Sequence, residues 1–232
     1  MRRIIFSKYS NDRDRRFAIR TDIVRNDDGG ADLMEVEKHV MFPEGSEHLE
    51  RQSRYFAEYS DRYSAAGLEL AEAGMDGGTL RYQFIDGDSV SDRIDAYIDC
   101  GDADKAADLL LAFCERIRDL YSVETWKVFG TVDFANVSPE GIKGCSFADI
   151  DLVPENIIVS GDKGYVTDYE WIFDFPIPAD YVVYRAIRTY MYSGGKRNML
   201  MQHELYERVG ISDEARSVFD NMESNFQKYV KG

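Results

Sequence analysis

Positive charge is scarce in this sequence: 28 Lys and Arg stand against 43 Asp and Glu in 232 residues, a net charge of −15. Binding a nucleic-acid backbone calls for a basic face, so the composition argues against a nucleic-acid partner. An anionic substrate would need a local basic patch or metal ions to hold it. Cysteine is rarer still. Cys100, Cys114 and Cys145 form no CxxC pair and are odd in number, which argues against a disulfide framework and for a reducing cytoplasm. Each reads as a small buried apolar group. His39, His48 and His203 lack metal-ligand spacing and read as surface or packing residues. No apolar run approaches the ~20 residues of a bilayer span. The start, MRRIIFSKYSNDRDRR, has only three apolar residues in a row, too few for a signal peptide. A membrane role would be peripheral. There is no repeat and no low-complexity linker.

What is present suits a folded chain. Apolar residues make up 44% and aromatic residues 13%, enough for a core in one large domain or two small lobes. The segments RRIIFSKY, RFAIRTDIV and LMEVEKHVM are rich in apolar and β-branched residues and are separated by polar turns. They predict a three-stranded meander. From Pro43 to about Tyr63 the pattern turns helical, with Leu49, Phe56 and Tyr59 recurring on one side. GLELAEAG and LRYQFID, split by the turn MDGG, predict two more strands. Beyond Gly87, SVSDRIDAYIDC and ADKAADLLLAFCERIRDLYS carry apolar residues at helical steps. In the second, Ala107, Leu110, Leu111, Cys114, Ile117 and Leu120 share a face. Further helices follow from Asp180. Strands segregated from helices predict an α+β protein of two lobes. Residues 1–86 would form an N-lobe of five antiparallel strands and one helix, and 87–232 a mainly helical C-lobe, with the junction near Asp86–Gly87–Asp88.

The chemistry concentrates in DIDLVPENIIVSGDKGYVTDYEWIFDF, Asp149 to Phe175, which holds seven acidic residues. IIV and YVT read as the arms of a hairpin around the turn SGDKG. Asn156 enters the hairpin and Asp168 leaves it, so strand pairing returns both to one end. A carboxylate and an amide oxygen are suitable hard ligands for Mg²⁺. Asp151, five residues before Asn156, would face an acceptor hydroxyl. The bland alternative is that these acids are solvated loop residues of an acidic chain. A second alternative is a glycosidase-type carboxylate pair, Asp149 and Asp151, which leaves Asn156 and Lys38 unexplained. Tyr169, Trp171, Phe173 and Phe175 read mostly as core, with an outward ring available to stack on a sugar.

The order D-x-x-x-x-N, hairpin, D-x-E resembles the eukaryotic-like kinase fold, especially its small-molecule branch of aminoglycoside phosphotransferases, choline kinases and lipopolysaccharide-core sugar kinases. DYEWIFDFPIPADYVVYR (Asp168–Arg185) is similar to kinase-like domains associated with bacterial polysaccharide glycosyltransferases and methyltransferases. The resemblance implies a two-lobed ATP- and Mg²⁺-dependent phosphotransferase. Asp151 would be the catalytic base, Asn156 and Asp168 the Mg²⁺ ligands, and Glu170 an additional or outer ligand. Lys38 would touch the α- and β-phosphates, paired with Glu50 or, one turn earlier, Glu47. YQFIDG, with Gln83, Phe84 and Ile85, would be the hinge that holds adenine. The acceptor would be a sugar hydroxyl of a small molecule or glycan in lipopolysaccharide or surface-polysaccharide biosynthesis, with an associated glycosyltransferase as partner.

Three departures stand out. Asp149 occupies the place of the usual His two residues before the catalytic Asp. No G-x-G-x-x-G lies between the first two strands, where SKYSNDRDRR (Ser7–Arg16) would hold phosphate through its amides with Ser7, Lys8, Ser10 or Asn11. The stretch from Asp168 to the next helix is too short for a protein-kinase activation segment. The first two favour a rival reading, a catalytically inactive kinase-like binding or regulatory module.

Overall fold

The computed structural model describes residues 1–27, 32–121, 124–125, 143–145, 147–173 and 177–232. Phe175 and the side chain of Cys145 lie outside the described residues; Cys114 is buried and Cys100 exposed.

The N-terminal lobe is a five-stranded antiparallel sheet. Its strands are β1 (Arg2–Tyr9), β2 (Ile19–Asp27), β3 (Asp32–Val40), β5 (Ala73–Asp76) and β6 (Thr79–Gln83), in the order β1-β2-β3-β6-β5. Side chains alternate across a strand, so Val36, Lys38 and Val40 share the face that packs on the core, where both valines are partly buried. Lys38 is thereby carried under the sheet, and in register it lies between Thr21 and Leu80. Glu37 and His39 take the other face. A 3₁₀ turn at Pro43–Gly45 leads into α1 (Ser46–Ala65), with proline at the helix start where its missing N–H costs nothing. The buried stripe of α1 is His48, Leu49, Gln52, Tyr55 and Tyr63, two of them polar.

One expected strand is divided. GLELAEAG becomes β4 (Leu68–Leu70) and β5, and only β5 joins the N-terminal sheet. β4 pairs in parallel with β12 (Lys163–Val166), in a second sheet ordered β4-β12-β11-β7, where β11 is Ile157–Ser160 and β7 Asp88–Ser89. The strand is thus shared with the acidic hairpin, a long-range pairing that local periodicity does not encode. The hairpin β11–β12 turns at Gly161, whose φ of 62° suits glycine. Gly87 approaches β11 so closely that a Cβ would sit 2.3 Å from the Val159 carbonyl oxygen. The connection between the lobes therefore requires glycine there.

The C-terminal lobe is mainly helical: α2 (Val90–Asp99), α3 (Ala103–Leu120), α4 (Ala179–Tyr192), α5 (Leu205–Arg208) and α6 (Asp213–Lys231). Short strands β8 (Glu124–Thr125), β9 (Lys143–Cys145), β10 (Ala148–Asp149), β13 (Ile172–Phe173) and β14 (Ile177–Pro178) complete it. Ser89 starts α2 with a full capping box, its Oγ accepting from the Asp92 amide at 2.9 Å while Asp92 accepts from the Ser89 amide at 3.0 Å. On α3, Phe113 is buried along with Ala107, Leu110, Cys114, Ile117 and Leu120, while Leu111 is only partly buried. α4 is buried on nearly every side, and α6 presents Phe219, Met222, Phe226 and Val230 to it and to the site. Burying each such side chain contributes about 1.5–3 kcal/mol.

α6 also reaches the N-terminal lobe. The carbonyl of Val230 accepts from the Asp14 amide at 2.8 Å. Phe17 packs among His48, Trp171 and Tyr229, with ring centroids 4.9–5.1 Å away. The β1–β2 loop is therefore fastened to the last helix. Among the described residues, no helix is long and apolar enough to cross a membrane.

Candidate functional site

Lys38 crosses between the lobes. Its Nζ donates to Asp168 Oδ1 at 2.6 Å and to Gln52 Oε1 at 3.0 Å. Burial alone would lower its pKa, but Asp168 and Glu170 outweigh that and raise it, so the ammonium stays charged. Tyr82 completes the arrangement, its hydroxyl also donating to Gln52 Oε1 at 3.0 Å. The expected helix partner is corrected here: Glu50 and Glu47 are both exposed, and the amide of Gln52 takes the place on α1. Gln52 lies on the buried stripe and Glu50 half a turn away from it, so helical phase decides the matter.

Asn156 and Asp168 meet at the open end of the hairpin. Asn156 Nδ2 donates to the Asp151 carbonyl at 3.0 Å and to the Asp168 carbonyl at 3.3 Å. Its Oδ1 accepts no hydrogen bond among the described residues, which leaves that oxygen for a cation. The Asp168 side chain is 40% exposed, and only one of its oxygens is engaged by Lys38. This donor set fits Mg²⁺ in kind but is small, since Mg²⁺ takes six oxygens and often draws several from phosphates and water. Among the described residues, no cluster of three His, Cys, Asp or Glu is placed to hold an ion unaided.

Asp151 is 17% exposed and lies 3.3 Å from Arg185 Nη1. Burial raises its pKa to about 7, with Asp168 and Glu170 adding and Arg185 opposing. Arg185 was not evident in the sequence. From α4 it donates to the Ile150 carbonyl and pairs through Nε with Glu223 of α6 at 2.7 Å, stacked over Phe226 at 4.8 Å. The available signal was a charged residue within the apolar run YVVYRAI.

Asp149, two residues before Asp151, fills a structural role. Its Oδ2 accepts from Tyr63 Oη at 2.9 Å and its Oδ1 from the Asp151 amide at 3.0 Å. Tyr121 Oη bridges to the Asp149 backbone at 3.1–3.2 Å. Burial, then Asp151, pushes the Asp149 pKa well above the usual carboxylate range. A fully buried carboxyl tied to a tyrosine and a backbone amide is a scaffold, which removes one half of the carboxylate-pair alternative.

Glu170 is corrected as a metal ligand. It is buried, and its Oε1 receives Arg13 Nη1 at 2.5 Å and His48 Nε2 at 2.7 Å. Against its burial, Arg13, Lys38 and His48 hold its carboxyl well below the ordinary range. His48 is thus a partner of the acidic cluster and not a bystander. A histidine on the buried stripe of α1 was the signal.

The two other groups of expected residues are only partly available. The Gln83 amide donates to the Glu72 carbonyl at 2.8 Å and is spent within the lobe, and the Glu35–Gln83 register turns the Phe84 amide toward β3, which leaves the Ile85 amide without an acceptor among the described residues. In the β1–β2 loop, the Ser10 amide is used on the Ile19 carbonyl at 3.0 Å, and Asn11 is exposed. The residue of that loop that reaches the carboxylates is Arg13. Tyr169, Trp171 and Phe173 are all buried, so none of these three rings is available to stack on a sugar.

No family model matches the sequence, and no curated protein does. Among solved structures, the chain is similar to the crystal structure of a macrolide 2′-phosphotransferase apoenzyme from Brachybacterium faecium. The TM-score is 0.40 and the identity 10%, covering 93% of this chain and 91% of that one.

Proposed function

We propose that this protein is a Mg²⁺-dependent ATP phosphotransferase acting on a hydroxyl of a small molecule or glycan. The observation that carries the reading is the convergence of Lys38, from the N-terminal sheet, with Asp168, Asn156 and Asp151, from the hairpin and its loop. Phosphoryl transfer needs little covalent chemistry from a protein beyond positioning and charge neutralisation. Lys38 neutralises phosphate oxygens. Asn156 Oδ1 and the free oxygen of Asp168 would hold the ion, which would supply charge neutralisation at the phosphates. Asp151, fixed by Arg185, orients the acceptor hydroxyl and takes its proton as the new O–P bond forms and the bond from the γ-phosphorus to ADP breaks. The Ile85 amide is the backbone donor left for the adenine edge.

The similarity of Asp168–Arg185 to domains that accompany polysaccharide glycosyltransferases extends the reading to a saccharide hydroxyl in surface-polysaccharide assembly, with a glycosyltransferase as partner.

The rival, a binding module without turnover, is favoured by one observation, the spent amides of the glycine-free loop. Titration calorimetry with ATP, with and without Mg²⁺, followed by ADP release over a sugar panel, separates the two. Mg²⁺-dependent binding with acceptor-dependent ADP release supports the enzyme. Binding without release under every acceptor, or no nucleotide binding at all, supports the module and overturns the enzyme.

A further inference from the structure

The β1–β2 loop has no glycine, and much of its backbone is already committed. The Ser10, Arg13, Asp14 and Phe17 amides donate to backbone carbonyls, and the Arg16 amide to Asp14 Oδ1 at 3.0 Å. With most of its N–H groups committed, such a loop offers a triphosphate fewer backbone donors than a glycine-rich loop does. It is also held in place, through the Asp14–Val230 hydrogen bond and the packing of Phe17 on Tyr229. What it offers instead is one side chain. Arg13 is largely buried, lies 5.8 Å over the Trp171 ring, and bonds Glu170. Its charge is felt at Asp168, Asp151 and Lys38.

We propose that Arg13 is the phosphate clamp of the nucleotide site, exchanging its bond to Glu170 for the phosphate oxygens of a nucleoside triphosphate. The proposal rests on the phosphotransferase reading. Three features carry it. A guanidinium presents a planar fork matched to phosphate, whereas the Lys38 ammonium is a single point charge. The same cleft gathers Asp151, Asp168 and Glu170, so an arriving polyanion needs more than one lysine to offset it. The exchange is also feasible for the residue left behind, because Glu170 Oε1 keeps His48 Nε2 at 2.7 Å once Arg13 leaves.

The test compares ATP and adenosine binding by calorimetry for the wild type, Arg13→Gln and Arg13→Lys, with folding verified by circular dichroism. Arg13→Gln is expected to weaken ATP at least tenfold and adenosine less than twofold. Arg13→Lys, which keeps the charge and the Glu170 pair but loses the fork, is expected to weaken ATP at least threefold. Should Arg13→Gln fail to fold, the lysine variant decides. Unchanged ATP affinity in a folded variant overturns the clamp while leaving the phosphotransferase reading intact. Tighter ATP binding overturns it too, since Arg13 would then plug the site. Equal losses for ATP and adenosine identify a merely structural arginine. A wild type that binds neither ligand defeats the phosphotransferase reading and the clamp with it.

Discussion

Replacing Arg185 tests how the loop that carries Asp151 is held. The guanidinium is buried between Asp151 and Glu223, donates to the Ile150 carbonyl, and stacks on Phe226. Arg185→Met fills similar volume but leaves Glu223 buried without a cation, although Tyr181 Oη at 3.0 Å and Gln227 at 2.9 Å still donate to it. Removing one partner of a buried ion pair costs about 3–5 kcal/mol, a large share of the ~5–15 kcal/mol of a typical fold. For a chain of this size that is roughly 10 °C in Tm. Adding Glu223→Gln removes the stranded charge while keeping an acceptor for Tyr181, and should restore about 2 kcal/mol. Urea unfolding of the two single variants and the double variant, read as midpoints at constant slope, measures this. A loss below about 1 kcal/mol for Arg185→Met, or no recovery in the double variant, would refute the reasoning.

Other expectations follow from the same geometry. Asp149→Ala strands Tyr63 and the Asp151 amide and should cost about 2–3 kcal/mol, whereas Asp149→Asn keeps one acceptor oxygen and should cost less. Thermal unfolding distinguishes them. Lys38→Met should abolish stabilisation by Mg²⁺ and ATP, which for the wild type at a hundredfold excess over Kd amounts to about 2.7 kcal/mol. In Mg²⁺-free buffer, the Asp151 pKa of about 7 against 3.8 unfolded makes its contribution fully present below 3.8 and lost as pH rises through 7. The wild type should therefore lose up to about 4 kcal/mol relative to Asp151→Asn across that window, and parallel stability curves would contradict the assignment. Gly87→Ala should destabilise the lobe junction, since its Cβ would meet the Val159 carbonyl; an unchanged midpoint would show that the connection yields.

The two-lobed α+β order was legible because alternation in the first strands and helical spacing in α1, α2 and α3 are local signals. Asp151, Asn156 and Asp168 were legible together because a hairpin returns its ends to one place. Partners drawn from distant elements were not. Arg185 and Glu223 are 38 residues apart, and Arg13 and Glu170 are 157 apart, so no spacing announces either pair. The exchange of Glu50 for Gln52 has a different origin: the kinase-fold resemblance implies an acidic partner on α1, while helical phase places a neutral amide at Lys38. His48 and Gln52 break the apolar stripe of α1, and such breaks were the readable trace of the site. β4 escaped its expected sheet because pairing with β12 depends on tertiary contact.

The most direct measurement is a crystal structure of the protein with Mg²⁺ and a non-hydrolysable ATP analogue. An ion about 2.1 Å from oxygens of Asn156 and Asp168 is expected, with phosphate beside Lys38 and the acceptor face of Asp151 open. A nucleotide bound outside this cleft, or an intact Lys38–Asp168 contact at saturating nucleotide with no ion between Asn156 and Asp168, would contradict it.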